Sequence, residues 1–253
     1  MNKKRLAIVS IIVLIIIVAG ICLVIFRPKK TSEKMNLKFE SRVDELSKFD
    51  SGDFYKFGWL QVQGTNIDLP ILDSSSIIAE LDYSYGWDSA LYMHNQKYQV
   101  LLGHNILNVS SEPMMPNDTL SDFEPLMAFV YYDFAKNNLY AQYTQDDSDN
   151  IYLIYSIGFS NYIDNEYTNL NTEKRRKEYI KEAKENSIYD YDIDVNADDE
   201  LLKIETCTRM FGTEYNQQLS VNLRKLRKGE SIKKYSVKKN KNYKQIQSSK
   251  EKM

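Results

Sequence analysis

The run Leu201-Leu202-Lys203-Ile204-Glu205-Thr206-Cys207 reads as a strand that ends on a thiol, and Tyr98-Gln99-Val100-Leu101-Leu102 reads as a second strand that stops at Gly103-His104-Asn105. The chain has 2 cysteines. The other one, Cys22, lies inside an apolar stretch suited to lipid, so Cys207 has no disulfide to make in a domain outside the cytoplasm. On these residues alone two readings of the thiol stay open, a small buried hydrophobe or a nucleophile. A histidine where a strand stops at glycine can lie on the rim of a sheet, and the thiol strand ends in the same way. Both side chains can then reach one rim, where an imidazole supplies or accepts the proton that accompanies thiolate chemistry. Taken alone, Gly-His-Asn needs no function beyond a turn.

The ends of the chain set its compartment. Leu6–Phe26 is an apolar run of 21 residues broken only by Ser10 and Gly20. That length spans a bilayer hydrocarbon core of about 30 Å, and it exceeds the roughly 7–15 apolar residues of a secretory signal. An uncleaved signal-anchor is expected, with residues 1–5 as a cytoplasmic stub, 6–26 as a single membrane pass and everything after Phe26 outside the cell. Lys3, Lys4 and Arg5 are balanced by Arg27, Lys29 and Lys30, so the short stub rather than flanking charge sets this orientation. The net charge of −2 conceals an asymmetry: Arg224–Met253 carries 12 Lys/Arg and 2 Asp/Glu, and residues 1–30 carry only basic groups. The intervening domain is strongly acidic. The basic tail, 227–253, has little apolar periodicity and is expected to be a disordered, solvated extension. Basic residues interleaved with aromatics on a folded face are missing, which argues against a nucleic-acid partner.

Between the ends, Met35, Phe39, Val43 and Leu46 fall at helical spacing and predict an amphipathic helix over Thr31–Phe49, within a linker region 27–50. Trp59–Gln63 and Ile67–Leu72 read as strands around the turn Gly64-Thr65-Asn66, and Pro70 makes the second an edge or irregular strand. Ser74–Leu81 is a short helix candidate and residues 108–122 a loop. Ala128–Tyr132, Leu139–Tyr143 and Ile151–Phe159 read as three more strands. Thr172–Asn186 reads as a helix with Thr172 as N-cap and Tyr179, Ile180 and Ala183 on one face. The Cys207 strand and a last strand, Gln218–Leu226, complete a mainly β domain over 51–226. Its short strands point to a closed barrel or a sandwich with helices at its edges.

Taken together and in order, several stretches resemble the sortases, the cell-wall transpeptidases of Gram-positive bacteria. They are Gly58-Trp59-Leu60-Gln61-Val62 with Gly64-Thr65-Asn66-Ile67-Asp68-Leu69-Pro70-Ile71, then Leu102-Gly103-His104-Asn105, then Ile204-Glu205-Thr206-Cys207-Thr208. The helix Thr172–Asn186, continuing through Ser187-Ile188-Tyr189-Asp190 and Asp194–Asp199, is similar to the insertion that marks class B sortases, as is the helix before Trp59. The resemblance implies a closed eight-stranded sortase-type β-barrel with appended helices. It implies that Cys207 attacks a backbone carbonyl in the C-terminal sorting signal of a secreted protein and forms a thioacyl-enzyme. His104 would protonate the departing amine and then deprotonate the incoming one, supplied by a peptidoglycan precursor or a pilin lysine. No metal or cofactor is implied. His94 falls where relatives often carry an acidic residue and is given a structural or surface role.

One position departs from the family pattern. Matching Leu219–Arg224 to the last strand puts Gln218 where sortases carry the arginine that stabilises the oxyanion. Losing one oxyanion donor costs on the order of 100-fold to 1000-fold in rate. Gln218 can still donate through its amide. Arg209, two residues beyond Cys207, points to the same side if the strand continues, and is the leading charged candidate beside its plain reading as a solvated loop residue. Arg224 shares a face with Gln218 but lies about 20 Å away at about 3.3 Å per residue. A catalytically impaired relative that binds sorting signals or pilins without processing them is the alternative.

Overall fold

The computed structural model describes residues 35–50, 56–73, 89–95, 97–103, 123–161, 170, 172–208 and 217–243. Strands β1 (Lys56–Val62) and β2 (Asp68–Asp73) are joined through Gly64, whose φ of 79° is the left-handed conformation that glycine adopts without a Cβ penalty. Thr65 locks the turn: its Oγ1 donates to the Val62 carbonyl at 2.9 Å and accepts from the Ile67 amide at 3.1 Å. Pro70 pairs with Trp59 of β1, and the strand on the other side reaches β2 only at Leu72 and Asp73. The proline therefore sits where no second ladder asks for its missing N–H, as the sequence predicts.

The chain continues through β3 (Ser89–Asn95), β4 (Tyr98–Gly103), β5 (Tyr140–Gln145), β6 (Ser148–Asn161), β7 (Tyr189–Tyr191), β8 (Leu201–Thr208), β9 (Gln217–Lys225) and β10 (Val237–Lys239). The ladder runs β1-β2-β3-β4-β8-β9-β6-β5, and β5 pairs back onto β1. The domain is mainly β, built on one strongly curled, barrel-like sheet, with β7 and β10 forming a small separate pair. Leu60, Ile71, Leu101, Ile204, Leu219 and Val221 are fully buried in its core. Each such side chain contributes roughly 1.5–3 kcal/mol of hydrophobic stabilisation.

Three expectations need correction. Helix α1 covers only Val43–Lys48, and residues 35–42 are not helical. Met35, Leu37 and Phe39 are half-buried and alternate with exposed Asn36, Lys38 and Glu40, which is the two-residue period of an extended chain. Long-range partners hold that segment open: Arg42 clamps Asp68 through Nε–Oδ1 at 2.9 Å and Nη2–Oδ2 at 2.5 Å, and Gln142 Nε2 donates to the Glu40 carbonyl at 2.7 Å. Second, Ala128–Tyr132 is no strand. A 3-10 helix, Glu124–Val130, carries Pro125 in its first turn and is followed by the one-turn helix α2 (Tyr132–Ala135). Leu126 and Phe129 bury at the three-residue spacing of a 3-10 turn, and Phe129 packs edge-on against Phe134 at 5.0 Å.

Third, the tail is ordered as far as Tyr243 within the described residues. Arg224 holds Glu230 through two bonds of 2.7 and 2.6 Å, and Arg227 bridges Asp199 and Asp194 at 2.7 Å each. Tyr140 Oη donates to the Lys233 carbonyl at 2.7 Å, and β10 then pairs with β7. The basic residues of the tail answer the acidic residues of the domain, so composition that reads as solvated becomes a strap. The expected membrane pass at 6–26, the Ser74–Leu81 helix and the 108–122 loop lie outside the described residues. Among the described residues no helix is long and apolar enough to cross a membrane.

Candidate active site

Strands β4 and β8 lie parallel, in register from Tyr98↔Leu201 to Gly103↔Thr206. Gly103 immediately precedes His104, and Thr206 immediately precedes Cys207. The strand residues that immediately precede the two motifs, Gly103 and Thr206, are thus paired at the same end of neighbouring strands. Cys207 lies in β8, while His104 and Arg209 lie outside the described residues. On the other side β8 pairs antiparallel with β9, and the partner of Cys207 is Gln218. Gln218 is 2% exposed. Arg224 is removed from contention: buried at 1% exposure, it is bound to Glu230 and donates from Nε to the Asp194 carbonyl at 2.7 Å. His94 lies in β3 opposite Gln99 of β4, away from the paired ends of β4 and β8.

Beneath Cys207↔Gln218 the same two-residue period carries two further polar pairs, Glu205↔Ser220 and Lys203↔Asn222. All four side chains are at most 5% exposed. Lys203 Nζ lies 2.5 Å from Glu205 Oε1, and Ser220 Oγ donates to that oxygen at 2.5 Å. Helix α3 (Glu173–Glu185) packs against β6 and reaches this ladder at Asn222 through Tyr179. Thr172 caps it by accepting from the Arg175 amide at 3.3 Å, and Ile180 is the buried residue of its inner face. Tyr179 Oη donates to Asn222 Oδ1, and the Tyr179 ring meets Tyr98 of β4 at 5.3 Å and 67°. Ser156 Oγ of β6 donates to the Ala183 carbonyl at 2.5 Å. Gly158 permits this approach, since a Cβ there would stand 2.7 Å from the Asn186 carbonyl oxygen.

Burial pushes the Lys203 ammonium below its ordinary range, and Glu205 pulls it partly back. Burial likewise holds the Tyr179 phenol well above its ordinary range. Sequence reasoning did not single out Lys203, Glu205, Ser220 or Asn222. The signal was present as polar residues at alternate positions of two strands, but that pattern ordinarily marks a solvent face. Only the folded structure shows it to be a buried network. Among the described residues no cluster of three His, Cys, Asp or Glu is placed to hold a metal ion.

No protein-family model matches the sequence, and no curated protein matches it. Solved structures do match, and the class they define is the sortase B-like fold. Sortase B of Clostridium perfringens is 24% identical, with 68% of this chain aligned to 94% of that one at a TM-score of 0.55. A sortase B–substrate complex of Staphylococcus aureus is 16% identical, covering 74% of this chain and 85% of that one at a TM-score of 0.56. Sortase B from the type II pilus of Streptococcus pneumoniae is 18% identical, covering 67% and 91% at 0.51. At these identities the likeness is one of fold. It bears out the resemblance carried by the three motifs.

Proposed function

We propose that this protein is a cysteine transpeptidase that processes C-terminal sorting signals of secreted proteins. The observation that carries the reading is the paired ending of β4 and β8, Gly103↔Thr206, which leads into His104 and Cys207 within a sortase B-like fold. In this mechanism the Cys207 thiolate attacks the scissile carbonyl carbon, and the oxyanion is met by a donor across the ladder. The tetrahedral adduct collapses as the leaving amine takes a proton from His104, leaving a thioester. An incoming amine gives its proton to His104, attacks the thioester carbonyl and releases the thiolate. Atoms and charges balance without a cofactor.

Gln218 faces the thiol position on β9, so the donor there is a neutral amide, with Arg209 as the second candidate. The acceptor is an amine of a cell-wall precursor or a pilin lysine. Residues 6–26 would tether the chain as a single membrane pass, with the catalytic domain outside the cell. The test is cleavage of a panel of sorting-signal peptides by the full-length chain, with and without an amine acceptor. Cys207→Ala is expected to abolish both cleavage and the covalent peptide adduct seen by mass spectrometry. Equal turnover in that variant would refute the reading.

A second reading is favoured by Gln218 itself. Without a cation opposite the thiol, the protein binds sorting signals or pilins and does not process them. A covalent Cys207–peptide adduct excludes it.

A further inference from the structure

Replacing a buried ion pair by packed apolar side chains is often neutral or stabilising, so the Lys203–Glu205 pair is not explained by stability alone. The pair sits on the thiol strand. Glu205 is two residues from Cys207 and Lys203 four, so all three positions share the period of one face of β8. Lys203 and Glu205 are 4% and 1% exposed, so water does little to screen them. Across β9 the same face brings Asn222, Ser220 and Gln218, none of them charged. From β4 it meets Tyr98, and from α3 it meets Tyr179, both phenols rather than ions. Among the described residues, the charges facing this end of the thiol strand are therefore these two, and they are opposite.

We propose that Lys203 and Glu205 are a positioning pair for the Cys207 nucleophile, each charge cancelling the other's field at the sulfur, so that the thiol is neither suppressed by the carboxylate nor drawn fully into the thiolate by the ammonium. The pair supplies both partners from one strand, two residues apart, and Ser220 fixes the carboxylate by its hydroxyl. This rests on Cys207 being the nucleophile of the reading above. Its consequence is specific: removing one member exposes the other. At about 3.3 Å per residue Glu205 lies about 7 Å and Lys203 about 13 Å along the strand, and at an effective dielectric constant of about 20 a unit charge at those distances moves a neighbouring titration by roughly 2 and 1 pH units.

The test is the pH dependence of iodoacetamide alkylation at Cys207 in the full-length chain, followed on the Cys207 peptide by mass spectrometry so that Cys22 does not interfere. Glu205→Gln keeps the shape and leaves the ammonium, so the midpoint should fall by about one unit. Lys203→Met leaves the carboxylate, so the midpoint should rise. The double variant should return to within about half a unit of the wild type, although it lacks the whole ion pair. A structural role alone predicts no such opposition. Midpoints that coincide in all four proteins, or single variants that move in the same direction, overturn the proposal. The double variant carries the test if a single variant does not fold, because a midpoint displaced by a full unit or more there also overturns it. Alkylation needs no peptide substrate, so this result is read independently of whether transpeptidation is observed.

Discussion

The decisive perturbation is at Gln218. Residues opposite one another on antiparallel strands have Cα atoms about 4.5–5.5 Å apart, so a side chain at 218 can reach the reacting carbonyl held on Cys207. Gln218 is 2% exposed, and water cannot readily take its place once the amide is gone. An oxyanion donor is worth on the order of 100-fold to 1000-fold in kcat, and a neutral amide belongs at the lower end. Gln218→Ala is therefore expected to lower kcat about 100-fold with little change in KM, because the interaction strengthens only as the oxyanion forms. Gln218→Met, which keeps the volume, should fall equally, separating donation from packing. Gln218→Arg should raise kcat. The assay is steady-state peptide cleavage by the full-length chain, with the Cys207 alkylation rate as a control on the nucleophile. Retention of kcat within about three-fold in Gln218→Ala refutes the role given to the amide. Activity confined to Gln218→Arg would instead identify a binding protein that lost its cation.

The remaining expectations concern the fold that presents this site. Glu230→Gln leaves the Arg224 guanidinium, 1% exposed, without its anion. Unfolding by urea should show a loss of about 3–5 kcal/mol, against about 0.5 kcal/mol for Lys48→Met in the exposed pair with Asp44. The Arg224 guanidinium is also the main reason that the Glu230 carboxyl is drawn down from 4.5 to about 2. A carboxyl with a lowered folded pKa stabilises above its unfolded value and loses that stabilisation as pH falls through the folded value. The stability gap between wild type and Glu230→Gln should therefore be full above pH 4.5 and close towards pH 2, read from urea midpoints across that window. Thr172→Ala removes the N-cap of α3 and should cost about 1 kcal/mol in the same measurement. Gly158→Ala brings a Cβ to 2.7 Å from the Asn186 carbonyl oxygen, and a loss of about 1–3 kcal/mol is expected as the end of α3 is displaced.

What the sequence discloses and what it hides follow from the range of the interactions involved. The β1–β2 turn, the Pro70 strand and the α3 cap are legible because Gly64, Pro70 and Thr172 act on their own backbone or within a few residues of it. The ends of β4 and β8 are legible too, since each strand stops at a motif, although only their order in a known family says that they meet. The segment 35–42 was misread because its helical spacing competes with a clamp from Asp68 and Gln142, residues far along the chain. The tail was misread for the same reason. A run of Lys and Arg is solvated on its own, and becomes structural only where Asp194, Asp199 and Glu230 stand ready to receive it. The polar ladder under Cys207 is the sharpest case. Lys203 and Glu205 alternate with Leu202, Ile204 and Thr206 as an exposed face would, and the Tyr179 that closes on the ladder at Asn222 comes from a separate segment, Glu173–Glu185. Gln218 at the start of the last strand is visible in one dimension. The burial of Lys203 and Glu205 is visible only in the folded sheet. If Lys203 and Glu205 position the thiol as proposed, loosening α3, which reaches Asn222 of the ladder through Tyr179, should hydrate the pair and weaken that effect before the β8–β9 ladder itself gives way.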